Sequence, residues 1–564
     1  MDSKTVIKII FIYHILYTLF FSNVFGQNVH LKIEGIDSIT KNYLLQKKQI
    51  ATFENLKSLK QEITHIKQKL FNIGYFNLTA TALKKTNDST HQFSLQLHKQ
   101  FRKITILYPN HFTKHNKHLI FTPQTIFNEK SFTCTVLELQ QNLNNIIQHL
   151  SNSGKTFSSL LLQNIQVKGD AVFAELHVNA SKKNSITDII IKGYDKFPKK
   201  FIKNYLKLKP KQILNITEIE RKSTYLNNLL FVSELKKPQI LFSKDSTTVY
   251  LYLKKIKSNT FDGYLGFKSN TETSKLELNG NINLKLINNL NQGEELHLKY
   301  LSTADEQKKI NIKTKIPFLF NTPFSIEAEL AIFKKDSTFS TNQQYIQLKY
   351  PIHQNINIGS GTRFTKSISL DNTLNSVQDF SKNEYLLNFE HIITQENSFF
   401  KTKNKTILEL SISKRKTKIQ DTPQQSIYLN SAHILNLNFK NSVYIKNESY
   451  YLISGEVLDN EAHFIGGINS IRGFQENSIP SHLYSYINTE FRIQLNNTLY
   501  THTVIDYGIS KNKDGFDNLF GFGFGFGLKS KNNLLRFVFA NNKTNSEKIK
   551  FSNSQIHLSL NTSF

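Results

Sequence analysis

One long cation sits on a run of residues suited to a tight turn: Phe464, Ile465, Gly466, Gly467, Ile468, Asn469, Ser470, Ile471, Arg472, Gly473, Phe474, Gln475, Glu476 and Asn477. Gly466, Gly467 and Gly473 permit backbone angles that a β-carbon forbids, so the run is expected to fold back on itself. Arg472 lies at its centre, with apolar Ile471 and Phe474 close by. A guanidinium carries five donors in a rigid fork and matches a carboxylate. The chemistry on offer is recognition: an arginine on an inturned loop, held by an acid. The plainer alternative is an exposed hairpin with a stray arginine. Two acids follow at the right parity. Along Tyr484–Leu495, Ile487, Phe491, Ile493 and Leu495 share one face and Glu490, Arg492 and Gln494 the other. Along Thr501–Gly508, Ile505 and Tyr507 oppose Asp506. If the apolar faces look outward, Glu490 and Asp506 look in, toward the loop.

Bond-making chemistry has no comparable signal. The 18 histidines are scattered, without HExxH or a similar ligand spacing, and no G-x-S-x-G elbow occurs. Cys134 is the single cysteine, which excludes a disulfide framework and a cysteine-based metal site. The expectation is no enzyme, no cofactor, no nucleotide and no metal.

The strands needed to place these groups fill the C-terminal half, expected as one region over residues 257–564. Leu276, Leu278, Gly280, Ile282, Leu284 and Leu286 alternate with Glu277, Asn279, Asn281, Asn283 and Lys285. Ile310, Ile312 and Ile316 oppose Lys309, Asn311, Lys313 and Lys315; Phe324, Ile326, Ala328, Leu330 and Ile332 oppose Ser325, Glu327 and Glu329. Charges on successive strands favour a closed membrane barrel with an oily outer face and a wet lumen, because closure leaves no edge in hydrocarbon. About 308 residues at roughly 19 per strand and connection permit about 16 strands. Gly521, Gly523, Gly525 and Gly527 alternate with Phe522, Phe524 and Phe526. With the rings toward lipid, the glycines leave a bare inner wall, which admits a packed loop or serves curvature alone. In the last strand, Ile556, Leu558, Leu560 and Phe564 alternate with polar residues.

The N-terminal half is organised differently. Residues 1–26 read as a secretory signal: Lys4 and Lys8, an apolar core from Ile9 to Phe21, and Val24 and Gly26 before the cut. Three units of strand, amphipathic helical stretch and strand pair follow, over residues 27–99, 100–181 and 182–256. The third is clearest: Ile186–Lys192 as a strand, Pro198–Leu206 and Thr217–Leu230 as helical stretches, then strands at Pro238–Phe242 and Thr247–Lys254. The first has a strand at Val29–Ile33, a helix at Leu56–Leu70 and strands at Phe76–Leu83 and His91–Leu97. The second has a strand at Arg102–Leu107, a helix at Val136–Leu150 and strands at Ser158–Val167 and Ala171–Val178; Pro109–Lys130 has no clear period.

Gly466-Gly467, with Ser470-Ile471-Arg472-Gly473-Phe474, resembles the sixth-loop signature of the outer-membrane assembly barrels, the superfamily of BamA, TamA and the two-partner secretion porins. The resemblance implies a 16-strand barrel preceded by periplasmic POTRA modules, and the β-α-α-β-β units are similar to those modules. It implies that Asp506, in Val504-Ile505-Asp506-Tyr507-Gly508, contacts the loop arginine, and that Glu490 is a second acid; Val504 stands where the family usually has an aromatic. It implies that the alternating strand ending in Phe564 is the signal by which such barrels are themselves recognised. Three modules look closest in layout to TamA.

The implied function is insertion or translocation of unfolded outer-membrane or secreted polypeptides. POTRA edges would take up an extended chain by strand addition. The first strand, about Thr260–Phe267, would pair weakly with the last. The implied location is the bacterial outer membrane, with outer-membrane lipid and periplasm-spanning or lipoprotein partners. The rivals are a two-partner secretion pore for one soluble protein and a passive structural barrel. A formal net charge of +28 suits nucleic acid, acidic partners or an anionic surface. The lysines run from end to end among many asparagines, with no compact basic domain, so lipid phosphate is favoured and nucleic acid set aside. A general lysine and asparagine bias is the plain alternative.

Overall fold

The computed structural model describes residues 28–45, 50–108, 121–128, 130–269, 276–302, 307–371, 376–512, 515–545, 549 and 554–564; the expected signal segment and most of Pro109–Lys130 lie outside these. Two compact units divide the chain, one holding the first two modules and the other the third module with the barrel.

The first module runs β1 (Val29–Gly35), α1 (Ser38–Leu45), β2 (Ile50–Phe53), α2 (Leu56–Asn72), β3 (Thr79–Ala80), β4 (Lys84–Lys85) and β5 (Thr90–Gln96). Asn55 caps α2 by accepting from the Ser58 N–H, and Leu59, Ile63 and Leu70 bury its apolar stripe. Two details differ from the sequence reading. α1 and β2 occupy a stretch with no assigned element. The expected strand at Phe76–Leu83 is reduced to β3, because the register against β5 slips by one residue between Thr79–Gln96 and Lys84–Gln92.

The second module runs β6 (Lys103–Leu107), β7 (Ile126–Phe127), β8 (Ser131–Thr135), α3 (Val136–Asn152), β9 (Ser159–Lys168) and β10 (Ala171–Asn179). A capping box opens α3: Thr135 accepts from the Glu138 N–H, and Glu138 accepts from the Thr135 N–H. The segment before α3 is a strand, β8, paired antiparallel with β6. The sheet order is β7-β8-β6-β10-β9, so β9 lies at an end. Cys134 is buried, and burial pushes its thiol up to about 11, so it stays protonated at neutral pH.

The third module runs β11 (Asp188–Lys192), α4 (Lys200–Asn204), α5 (Ile216–Thr224), β12 (Val232–Phe242) and β13 (Thr247–Lys255), the β-α-α-β-β order. It docks on two turns of the barrel. Phe201 meets Phe318 edge-on at 4.9 Å. Gly293, at φ 72°, lies where a β-carbon would strike the Phe201 ring. Asn288 donates to the Tyr194 hydroxyl at 2.7 Å, Lys200 to the Pro317 carbonyl at 2.7 Å, and Asn204 to Asn321 at 3.1 Å.

The barrel runs β14 (Thr260–Ser269), β15 (Leu276–Ile287), β16 (Glu295–Ser302), β17 (Lys308–Ile316), β18 (Ser325–Lys335), β19 (Phe339–His353), β20 (Ile356–Ser369), β21 (Phe380–Thr394), β22 (Thr402–Thr417), β23 (Asp421–Asn436) and β24 (Asn441–Ser454). A short hairpin, β25 (His463–Ile465) and β26 (Ile479–Ser481), lies inside the next loop. The barrel then resumes with β27 (Leu483–Gln494), β28 (Leu499–Asn512), β29 (Gly515–Ser530), β30 (Asn533–Lys543) and β31 (Gln555–Ser563). Omitting β25 and β26, these form a closed antiparallel barrel of 16 strands. Where side chains are described, the outer face is apolar: Tyr385, Leu387, Ile412, Ile505 and Phe524 are all more than half exposed. Ile556, Leu558, Leu560 and Phe564 are exposed too. The inner face is charged and paired: Lys349 bridges Glu327 at 3.0 Å and Glu390 at 2.9 Å, and Arg363 meets Glu409 at 2.7 Å. A wall oily outside and ion-paired inside is stable in lipid, since the lumen solvates what hydrocarbon would not.

The closing seam is short. β14 pairs with β15 along its whole length, from Thr260–Lys285 to Ser269–Leu276. Against β31 it is in register at Thr260–Ser563, Phe261–Thr562 and Asp262–Asn561, and among the described residues no pair continues beyond. The Leu560 N–H instead donates to the Asp262 carboxylate.

Candidate functional site: a loop bound inside the barrel

The loop between β24 and β27 turns into the lumen. β25 and β26 pair from His463–Ser481 to Ile465–Ile479 and aim the tip inward. Gly466 at φ 111°, Gly467 at φ 99° and Gly473 at φ 92° make the reversals, angles that other residues reach only with strain. The tip closes on itself: the Gly466 N–H donates to Ser470 Oγ at 2.6 Å and the Gly467 N–H to the Ile471 carbonyl at 3.1 Å.

Arg472 is 4 % exposed and Asp506 fully buried. Asp506 Oδ2 accepts from Arg472 Nε at 2.8 Å and from the Arg472 backbone N–H at 2.9 Å, while Oδ1 accepts from Nη2. Arg472 Nη1 donates to Glu490 Oε1. The other oxygen of Glu490 accepts from Arg492 Nε at 2.6 Å. Two cations and two carboxylates thus form one buried, charge-balanced cluster, the arrangement in which an ion pair out of water holds together. The geometry binds and orients a loop.

Register explains the fit. Asn488, Asp506, Gly521 and Asn542 are successive partners across β27, β28, β29 and β30. The loop backbone lies along this row. Asn488 Nδ2 donates to the Ser470 carbonyl at 2.6 Å, Asp506 takes the Arg472 N–H, and Asn542 Nδ2 donates to the Gly473 carbonyl at 2.5 Å. At Gly521 a β-carbon would collide with the Arg472 carbonyl, and at Gly508 with Ile471 and Tyr486. Ile471 is wholly buried and Phe474 nearly so, in a cluster with Tyr450, Tyr484, Tyr486 and Leu519. Ile468 of the loop packs on Val504, Val538 and Ala540. The four glycines of β29 split in role: Gly521 faces the loop, Gly523 faces the backbone of β30, and Gly525 and Gly527 face the rings of His502 and Tyr500.

Gly521→Ala is expected to push the loop off the wall, at a cost of ~1–3 kcal/mol for overpacking. Cleavage of the loop by a glutamate-specific protease should speed up, while Gly455→Ala, where the added carbon meets nothing within 4 Å, should leave it unchanged.

A second clamp holds the loop's first limb, and sequence reasoning missed it. Arg415 of β22 is 0 % exposed. It donates to Glu461 at 2.5 Å, to the Glu456 carbonyl at 3.2 Å and to Thr422 Oγ1 at 3.1 Å. Glu461 also accepts from Gln424 at 2.9 Å and from the Leu458 N–H at 3.1 Å. Next to it, Asn460 donates to Ser367 Oγ and to the Gln378 carbonyl. Here the polarity is reversed: the wall supplies the cation and the loop the acids.

No protein-family model matches the chain, and no curated protein matches its sequence. Solved structures do match. CdiB from Escherichia coli is 11 % identical with a TM-score of 0.53, over 90 % of this chain and 97 % of the CdiB chain. CdiB from Acinetobacter baumannii is 15 % identical with a TM-score of 0.50, over 90 % of this chain and 98 % of the other. BamA from Haemophilus ducreyi lacking POTRA domains 1-3 is 15 % identical, with a TM-score of 0.49, over 82 % of this chain and 100 % of that one. At such identities the likeness is one of fold, and the two CdiB chains share it along nearly their whole length. None of the three structures supports the expected closeness to TamA.

Proposed function

We propose that this chain is an outer-membrane protein that inserts or exports unfolded polypeptides, with its three modules in the periplasm. The short seam between β14 and β31 carries the reading. In hydrocarbon each unpaired main-chain group costs several kcal/mol by rough estimate, so a wall left open beyond Asp262–Asn561 favours any strand that adds there. The bound loop crosses β27 to β30 and ends one strand short of that seam, where it braces the wall as the edge parts. β9, ten residues long at the end of its sheet with Leu161 exposed, is the edge on which a client would first be taken up. The fold shared with CdiB and the sixth-loop resemblance both support a role in this class.

A locked seam tests the mechanism. Thr260→Cys with Ser563→Cys joins directly opposed residues, whose Cα spacing suits a disulfide. Cys134→Ser removes the sole native thiol. Oxidised protein in vesicles is expected to lose insertion of an unfolded barrel client, and reduction to restore it. Full activity with the seam closed would reject the mechanism. Depletion in cells separates insertion from dedicated export: the first lowers many barrels in the membrane, the second one secreted protein. Ion conductance with neither effect would make the chain a passive pore.

A further inference from the structure

The cluster around Arg472 does not end at Glu490. Arg492, which donates to Glu490, has its guanidinium between two rings, 4.0 Å from the centre of Tyr444 and 4.1 Å from that of Phe400. Tyr444 belongs to the wall, on β24. Phe400 belongs to the turn joining β21 to β22, at the same end of the barrel as the turns that carry the third module. That turn reaches into the lumen. Phe399 and Phe400 each meet Tyr500 at 4.9 Å, with interplanar angles of 64° and 73°. Lys529 of β29 donates to the Ser398 carbonyl at 2.8 Å. The space is there because β29 has glycine at 525 and 527, where a β-carbon would strike His502 and Tyr500.

The turn is built to hold this shape. Asn397 Oδ1 accepts from the N–H groups of Phe399 and Phe400 at 2.9 and 3.0 Å. Gln395 Nε2 donates to the Phe400 carbonyl at 2.8 Å, and Asn436 Nδ2 donates to Gln395 Oε1 at 2.9 Å. At its foot, Thr394 bonds Asn228 of the third module. A surface turn seldom spends two phenylalanines on a wet lumen. Here they cover both the ring of Tyr500 and one face of Arg492.

We propose that Phe399 and Phe400 form an internal plug whose task is to position Arg492, and through it Glu490, so that the hold on the loop is set from the periplasmic end. Stacking between two rings keeps water off Arg492 while leaving its edge free to donate. Its Nε therefore stays on Glu490, and Glu490 presents its other oxygen to Arg472. Without the Phe400 ring, Arg492 gains water and rotamers, and Glu490 loses a fixed partner. Phe400 and Arg492 are positioning residues, since neither touches the loop.

The test uses purified full-length protein in detergent micelles and reads cleavage of the loop at Glu456, Glu461 and Glu476 by a glutamate-specific protease. It measures loop exposure without any client, so its failure is distinct from failure of the insertion reading. Phe400→Ala is expected to speed cleavage by about fivefold or more, a typical coupling between linked sites. Phe400→Tyr, which keeps a ring over Arg492, should restore protection. In the Glu490→Gln background, Phe400→Ala should add little, because the link it acts through is already cut. Unchanged cleavage in Phe400→Ala, or an effect of equal size with and without Glu490, overturns the proposal. If Phe400→Ala fails to assemble, Lys529→Gln gives a second reading: it frees the turn through Ser398 and should speed cleavage in the same Glu490-dependent way, and protection unchanged there also counts against the plug.

Discussion

Arg472→Ala is expected to release the loop and destabilise the barrel by ~3–5 kcal/mol, the cost of leaving a buried carboxylate without its cation. The stranded group is Asp506, which is fully buried and takes three donors from the one residue. Glu490 is less exposed to the loss because Arg492 still holds it. A second substitution therefore separates two effects. Adding Asp506→Asn to Arg472→Ala removes the stranded charge and should recover much of the stability. It should not return the loop to the wall, since Arg472 Nε and Nη2 are gone. Urea unfolding in micelles measures the first effect and protease cleavage at Glu476 the second. A single variant with full protection of the loop would show that the arginine does not hold it.

Arg415→Ala is expected to cost a similar ~3–5 kcal/mol for the same reason, with Glu461 as the buried charge left over. The compensating pair is different. Arg415→Met with Glu461→Leu replaces both charges by apolar groups of similar reach, an exchange that is often neutral or stabilising by roughly 1–4 kcal/mol when a pair is buried. Thermal unfolding should fall in the single variant and recover in the double one. The loop's first limb is still held there by Asn460 on Ser367 and Gln378, so the tip around Arg472 should stay protected in both. Cleavage at the tip in the single variant would mean that the two clamps act as one.

Much of the barrel was legible because its physics is local. Ile487, Phe491, Ile505 and Tyr507 are exposed while Glu490, Arg492 and Asp506 are buried, as a two-residue period requires of a wall between lipid and lumen. The same parity brought both acids to the loop arginine. The amides that bind the loop backbone left no such trace. Asn488 and Asn542 are ordinary polar residues on polar faces, and their role depends on a register across four strands. The Arg415–Glu461 clamp was hidden by the 46 positions that separate its partners along the chain. Phe399 and Phe400 carried no period at all. In the modules, long amphipathic helices such as α2 and α3 were readable, whereas β3, with two paired residues, depends on contacts that no window of sequence reports.

The docking of the third module has a practical corollary for anyone who shortens this chain. The residue at which the barrel strands begin is not the residue at which the protein comes apart. Truncation just ahead of Thr260 would strip Phe201 from Phe318 and Tyr194 from Asn288, and leave two greasy, half-bonded turns facing water. A cut near Ile186, where the compact units divide, takes away whole modules and leaves the remaining body its own floor.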